Sequence, residues 1–421
     1  MNMNSKTEKI LLGFGNTTLE LEIPEKNISS VILPSEPLKT EEASFLIRKA
    51  LENPIKSKRL SDLVTPDSRI AIIVSDVTRP TPTSKLLPPL LEELYLGGIK
   101  NENIMIVFAL GLHRHQTEEE SKKLVGEDIY SEIRCIQHDA ARCQRIGMTS
   151  RGTPVEILEE AMDADIVIGT GSVEFHYYAG YSGGAKSVLP GISSRETIIT
   201  NHKMMIDENA ISGRVDGAVR QDMEEAAKIF GLDFILNVVL NSKKEIVAAV
   251  AGDFIEAHRK GTEIVDSMYK ILVEPSDAVI VSCGGFPKDV NLFQANKALD
   301  NATQAVKAGG FIVLVAECAE GIGNQVYERW NHECRSPDDA IERIKQCFEF
   351  GGHKSAIVGK IAKKCKLYLV SKLPEEETES AFFIPMPGLK EALSAILSEK
   401  PDAKIHLMPY GGQTLPVKAD R

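Results

Sequence analysis

The chain has 421 residues, 43% of them hydrophobic, 26% charged and 6% aromatic, the make-up of a globular protein of two or three domains. Its 49 Lys and Arg against 60 Asp and Glu leave a net charge of −11, which argues against a nucleic-acid coat protein or a polybasic membrane binder. No stretch approaches the roughly 20 continuous apolar residues of a spanning helix, the start is polar without a signal-peptide core, and seven scattered cysteines without a CxxC pair read as reduced thiols of a cytoplasmic protein.

Ile10–Ile23 reads as two strands around a Gly15-Asn16 turn, because Leu19, Leu21 and Ile23 alternate with Glu20 and Glu22. Arg69–Val74 is a buried strand. Thr83–Leu96 is a helix, with Leu86, Leu87, Leu90, Leu91 and Leu94 at helical spacing and Gly97-Gly98 as its stop. Ile104–Leu110 is the next strand, and Thr117 with Glu120 forms a capping box for a helix that Gly126 closes. Ala164–Gly169 is a strand. Gly171–Gly191 has no clean period and is dense in glycine, aromatic and polar residues; a loop that long inside a domain is usually functional. Leu232–Val250 is a strand pair turning at Asn241-Ser242, and Asp253–Met268 a helix.

Pro275-Ser276-Asp277 marks a boundary. Beyond it come strand Ala278–Ser282, a Gly284-Gly285 turn, helix Asn291–Lys307, strand Phe311–Val315, helix Pro337–Phe350, strand Lys366–Val370, helix Gly388–Leu397 and strand Ile405–Met408. Strands alternating with helices define an α/β protein with mainly parallel sheets. The expected organisation is an N-terminal α/β domain of residues 1–274 and a C-terminal α/β domain of residues 275–421, facing a central cleft.

Four polar clusters follow predicted strands, where α/β proteins gather their active-site groups: Asp76–Pro80, Gly111–His115, His176–Lys186 and Asn291–Lys297. Gly180–Ser187 approaches a phosphate-binding P-loop, but Ala185 stands where that loop needs Gly, and no strand runs directly into it. Gly169-Thr170-Gly171 begins a dinucleotide fingerprint that Glu174 breaks. A nucleotidase and a nicotinamide-dependent dehydrogenase are therefore both disfavoured. No HExxH, paired CxxC or EF-hand loop is present.

His113, His176 and His202 all fall in these segments or close to them. A single His is more often structural than catalytic, yet neutral imidazole is the best side chain for moving protons near pH 7. Two such groups on opposite sides of a substrate would form a two-base racemase. Arg79, stiffened by Pro80, offers a two-pronged grip on a carboxylate, or an ordinary salt bridge. Gln294 and Lys297 share a helix face, either as a second grip on an anion or as a solvated surface.

The motifs Asp76-x-Thr78-Arg79-Pro80, Gly111-x-His113-Arg114, Gly180-x-Ser182-Gly183-Gly184-x-Lys186-Ser187-Val188-Leu189-Pro190-Gly191, Asn201-His202 and Asn291-Leu292-x-Gln294-x-x-Lys297 resemble the nickel-dependent lactate racemase family, in the same order and over a chain of similar length. The resemblance implies a nickel(II) pincer nucleotide, a pyridinium-3,5-bisthiocarboxylic acid mononucleotide nickel complex. It implies His113 and His176 as the acid/base pair, and Asp76, Thr78, Arg79, Lys186 and His202 as cofactor-binding residues, with His202 the nickel ligand. Lys186 matches the lysine that can link covalently to the cofactor. Arg79, Gln294 and Lys297 are implied to orient the substrate.

The implied reaction is racemisation or epimerisation at C2 of a 2-hydroxy acid by reversible hydride transfer to the cofactor. The implied partners are that small molecule and the enzymes that make the cofactor; a homo-oligomer is compatible, and neither nucleic acid nor membrane is expected. Val77 stands where such racemases often carry His. Gly351–Lys354 differs from the Trp-containing segment of lactate-specific members, and the sole Trp is Trp330. Lactate is thus not singled out, and His353 and Lys354 are candidates for recognising a larger or more anionic acid. The alternative reading is a non-catalytic hydroxy-acid or nucleotide-binding protein of the same fold.

Overall fold

The computed structural model describes residues 6–37, 41–207 and 209–418; the first residues of the polar start lie outside that range. Two compact units emerge. An inner unit comprises Glu36–Met268, and a terminal unit joins Met1–Ser35 to Tyr269–Arg421. The expected single cut after residue 274 is therefore corrected for the first 35 residues. Ile28–Val31 pairs in parallel with Ile405–Met408, so the start of the chain supplies the edge strand of the sheet formed by its end.

The inner unit is built on a six-stranded sheet. Its order is Ile246–Gly252, Phe234–Leu240, Ile166–Ser172, Ile70–Ser75, Ile104–Ala109 and Arg134–Gln137. Every neighbour is parallel except the first pair, which forms the hairpin expected near Asn241. Helix Thr83–Leu96 buries Leu86, Leu87, Leu90 and Leu94 against Ile70, Ile72 and Val74, alternate residues of the central strand. The predicted capping box is complete: Glu120 N donates to Thr117 Oγ1 at 3.1 Å and Thr117 N to Glu120 Oε2 at 2.8 Å, and Gly126 ends the helix at φ +98°.

The terminal unit carries a second six-stranded sheet, parallel throughout, in the order Ile384–Met386, Lys366–Val370, Val306–Val315, Ser276–Ser282, Ile405–Met408 and Ile28–Val31. Val279 and Val281 face helix Leu292–Ala302. Ala278 and Ile280, on the opposite side of the pleat, face Leu12, Leu21 and Ile23 of the N-terminal hairpin and Ile396 of helix Leu389–Glu399. The helix expected over Asn291–Lys307 stops earlier, because Ser276 already pairs with Val306 and Lys307 reaches Asp277 at 3.0 Å. The helix expected over Pro337–Phe350 ends at Gln346, and a further helix, Gly352–Ala362, begins after Gly351 at φ +103°. All seven cysteines are free. Among the described residues, no helix is long and apolar enough to cross a membrane.

Candidate active site

In the inner unit, Ile70–Ser75 leads to Ile104–Ala109 on one side, and its neighbour Ile166–Ser172 leads to Phe234–Leu240 on the other. Where adjacent parallel strands send the chain in opposite directions, a crevice opens at their carboxyl ends, and ligands bind there. Asp76 follows the first of these strands, His113 follows Ile104–Ala109, and the glycine-rich loop follows Ile166–Ser172.

Asp76 is 3% exposed. Its Oδ1 accepts from Thr78 N at 2.7 Å and from the Thr78 hydroxyl, and Arg79 N donates to its carbonyl at 3.1 Å, so Asp76–Arg79 folds as an Asx-type turn. Asp76 Oδ2 lies 2.8 Å from His113 Nδ1. An ionised carboxylate only accepts, so Nδ1 carries the proton and Nε2 is the basic nitrogen of the neutral ring. Burial pushes the Asp76 carboxyl up, but the bonds from His113 and Thr78 and the charge of Arg79 outweigh it and hold the group below its ordinary value. The turn is tied to the next loop by Val77 N, which donates to Gln116 Oε1 at 2.6 Å, and by a two-way bond between Gln116 and Gln137. Val77 itself is exposed; its backbone, not its side chain, anchors the turn.

The loop that bears Lys186 is held from behind by polar side chains that sequence reading passed over. Arg220, fully buried, donates to the carbonyls of Ala179, Tyr181 and Gly183. His258 Nε2 donates to Ser182 O at 2.8 Å, and Asn237 Oδ1 accepts from Gly184 N at 2.8 Å. The glycines permit this close approach. A Cβ on Gly180 would lie 1.6 Å from Arg214 O, and one on Gly184 2.9 Å from the His258 ring, both at positive φ. One signal for Arg220 was available: it interrupts the buried stripe Val219, Met223, Ala226 and Ala227 of helix Ala218–Phe230, and a charge on such a stripe requires a partner.

Tyr178 is the hub of the site. Its ring meets that of His176 edge-on at 4.4 Å and lies 5.0 Å from that of His202, with Lys186 Nζ over it at 5.5 Å. Burial raises its phenol, and the charge of Arg79 pulls the other way. Arg79 therefore acts on both Asp76 and Tyr178, which links the His113 turn to the His176–Lys186–His202 group. His176 also stacks on Tyr177 at 5.1 Å.

His202 is buried on helix Arg195–Lys203. Its pKa is pushed down to about 3 by burial and then by the Lys186 ammonium, so the ring is neutral. Asn201 Nδ2 donates to Asp222 Oδ2 at 2.8 Å and to Val219 O at 3.1 Å, which turns Asn201 Oδ1 toward His202 Nδ1 at 3.1 Å. Nδ1 must then be the protonated nitrogen, and Nε2 keeps its lone pair.

Gln294 and Lys297 belong to the terminal unit, on the first turns of the helix that follows strand Ser276–Ser282; Asn291 Oδ1 caps that helix by accepting from Gln294 N at 3.0 Å. Lys297 is exposed, and its charge acts on Lys354. His353 and Lys354, candidates for substrate recognition from sequence, are 1% and 2% exposed. His353 Nδ1 accepts from Gly351 N at 3.0 Å. Lys354 Nζ lies over the Phe293 ring at 5.6 Å, and its pKa is lowered to about 8 by burial, with Asp300 opposing the shift. Both side chains are thus enclosed in the terminal unit. Trp330, fully buried, donates from Nε1 to Glu349 at 2.8 Å and packs with Ile344 and Ala356 as core.

Residues 14–213 match the model of the lactate racemase N-terminal domain, and residues 271–415 that of the lactate racemase C-terminal domain. The chain is 35% identical over 422 residues to a lactate racemase of Thermoanaerobacterium thermosaccharolyticum, covering 96% of this chain and 97% of that one. It is 36% identical over 306 residues to a lactate racemase of Lactiplantibacillus plantarum, covering 71% of each. The solved lactate racemase apoprotein of T. thermosaccharolyticum superposes with a TM-score of 0.91 at 34% identity, over 97% of this chain and 100% of that one. A Thermotoga maritima protein, 20% identical with a TM-score of 0.62 over 92% of this chain and 100% of its own, shares the fold. The chain belongs to the lactate racemase family.

Proposed function

We propose that this protein inverts the C2 stereocentre of a 2-hydroxy acid, as a racemase or epimerase that uses a nickel pincer nucleotide. The observation that carries this reading is the gathering of an imidazole, a lysine amine and a buried neutral imidazole around Tyr178, with the carboxylate-held His113 following a nearby strand of the same sheet.

The residues fit the cofactor. A metal-bound imidazole must be neutral, and its other nitrogen is normally hydrogen-bonded to fix the tautomer. His202 satisfies both conditions, with Nε2 as the ligand atom. Imidazole with soft sulfur donors suits nickel. The Lys186 amine, which acts electrostatically on His202, is suited to a thio-acyl link, and Thr78 and Arg79 are suited to the nucleotide. When bound, the nucleotide supplies a reversible acceptor for the C2 hydrogen.

The protein's own part is position and protons. His113 Nε2 accepts the hydroxyl proton of one enantiomer, because Asp76 holds the ring in that tautomer and stabilises the imidazolium that forms. His176, oriented by Tyr177 and Tyr178, serves the opposite enantiomer. Arg79 pairs with the substrate carboxylate. Gln294 and Lys297 are assigned to substrate orientation by the family resemblance.

Chiral chromatography of a panel of 2-hydroxy acids, incubated with cofactor-loaded protein, tests the reading. The loaded wild type inverts at least one acid. His113→Ala and His176→Ala each lower that rate by roughly 10²–10⁴-fold while nickel, measured by metal analysis, stays bound; His202→Ala loses the nickel. Wild-type turnover by either of the first two variants refutes the assigned acid/base pair.

A further inference from the structure

A second constellation lies in the terminal unit, among residues that take no part in the chemistry above. Glu328 and His332 are four apart on helix Gln325–Glu333, so they share one face. Glu377 approaches them from the short helix Glu375–Ser380. One ligand atom from each of the three lies within 4.8 Å of the other two. We infer that Glu328, His332 and Glu377 bind a divalent cation of borderline softness, Zn²⁺ before others.

The one pair at closest approach has the spacing of two ligands on a metal. His332 Nε2 lies 3.4 Å from Glu377 Oε1, longer than the usual N–H···O hydrogen bond. Two ligands on a tetrahedral ion with arms of roughly 2.0–2.2 Å stand about 3.3 Å apart. The charge balance points the same way. Two carboxylates converge on one imidazole, and among the described residues neither Glu328 nor Glu377 forms an ion pair with Lys or Arg. The nearby Arg329 and Arg343 are engaged by Glu349 and Glu333. A divalent ion cancels the two negative charges that this convergence would otherwise set against each other.

Glu377 provides an independent sign. Its Oε2 is buried and has no hydrogen-bond partner, although the side chain as a whole is 27% exposed, an arrangement that costs free energy unless a donor or a cation fills the position. A plain His332–Glu377 ion pair accounts for neither that oxygen nor the approach of Glu328. The ligand set selects the ion class. Mg²⁺ and Ca²⁺ prefer all-oxygen shells, whereas imidazole with carboxylate suits Zn²⁺ and its neighbours. Three protein ligands leave the fourth position to water. The bound ion would clamp helix Gln325–Glu333 to the segment that leads into edge strand Ile384–Met386.

The test is titration of chelator-treated full-length protein with Zn²⁺ by calorimetry at pH 7.5, with thermal melting alongside. The wild type is expected to show a micromolar site that Mg²⁺ does not fill, and a melting midpoint that rises by a few degrees with Zn²⁺. His332→Ala and Glu377→Gln are expected to weaken that site by about tenfold or more and to abolish the rise. Their melting midpoints in chelator should match the wild type, which separates lost ligation from lost folding, and Glu377→Gln serves if His332→Ala does not fold. His202→Ala should retain the site. Identical Zn²⁺ titrations for the wild type and both triad variants, or equal filling by Mg²⁺, overturn the inference.

Discussion

At the scale of single residues, the candidate site fixes which nitrogen is protonated in two of its imidazoles. Asp76 does so for His113, and Asn201 does so for His202, because its own amide is oriented by Asp222 and Val219. Asp76→Asn keeps the shape but offers an NH₂ or a neutral oxygen in place of the carboxylate. Stereoinversion should fall by roughly 10²–10⁴-fold with the melting midpoint little changed, which chiral assay and calorimetry check together. His138 offers a pH test away from the chemistry. It is 1% exposed, and burial pulls its pKa from 6.5 to about 4. Folded His138 stays neutral while the unfolded chain takes up a proton below pH 6.5. Its contribution is therefore intact above pH 6.5 and is lost as pH falls toward 4, by up to about 3 kcal/mol. Urea midpoints measured between pH 7.5 and 4 should fall less steeply for His138→Gln.

At the scale of elements, the loop from Ala179 to Lys186 is irregular, yet its backbone carbonyls and the Gly184 N–H find side-chain partners on three other elements. Helix Ala218–Phe230 sends Arg220, helix Glu256–Tyr269 sends His258, and strand Phe234–Leu240 sends Asn237. A planar guanidinium with several donors can satisfy three diverging carbonyls; an ammonium on a flexible stem cannot hold the same three. Arg220→Met should destabilise the apoprotein by about 3–5 kcal/mol, since buried carbonyls are left without donors, and Arg220→Lys should recover only part of that, as read from denaturant midpoints. The sequence marked Gly171–Gly191 as a candidate functional loop, because glycine and aromatics at such density fit neither helix nor strand. It did not show what holds the loop, because the three anchors lie 37 to 76 residues further along the chain than the groups they bind.

At the scale of the whole molecule, the terminal unit is assembled from both ends of the chain. Leu12, Leu21 and Ile23 are 0–1% exposed against Ala278 and Ile280, and Ile28–Val31 closes one edge of the sheet. Each of those side chains stabilises by about 1.5–3 kcal/mol on burial, together comparable with the roughly 5–15 kcal/mol that holds a domain folded. A chain shortened to begin at Glu36 should therefore lose the melting transition of the terminal unit and keep that of the inner unit. Scanning calorimetry of the two chains checks this, and an unchanged pair of transitions would count against it.

Local physics alone sufficed for much of this. Helix Thr83–Leu96, the Thr117 capping box and strands Lys366–Val370 and Ile405–Met408 stand where periodicity and punctuation place them, because these signals act over a few residues. Helices Arg195–Lys203, Ala218–Phe230 and Gly352–Ala362 are not marked by the sequence pattern, since polar groups such as His202, Arg220 and Lys354 stand on their buried faces and break the apolar period. The chemistry-bearing residues were legible one by one, from residue type and position after a strand. Only the tertiary structure decided that His176, Lys186 and His202 share Tyr178, that His113 rests on Asp76, and that Lys354 is enclosed beside Asp300 rather than presented at the surface. The physical reason is range. Secondary structure is specified by neighbours, whereas a site is specified by burial and hydrogen bonds between segments that only folding brings together.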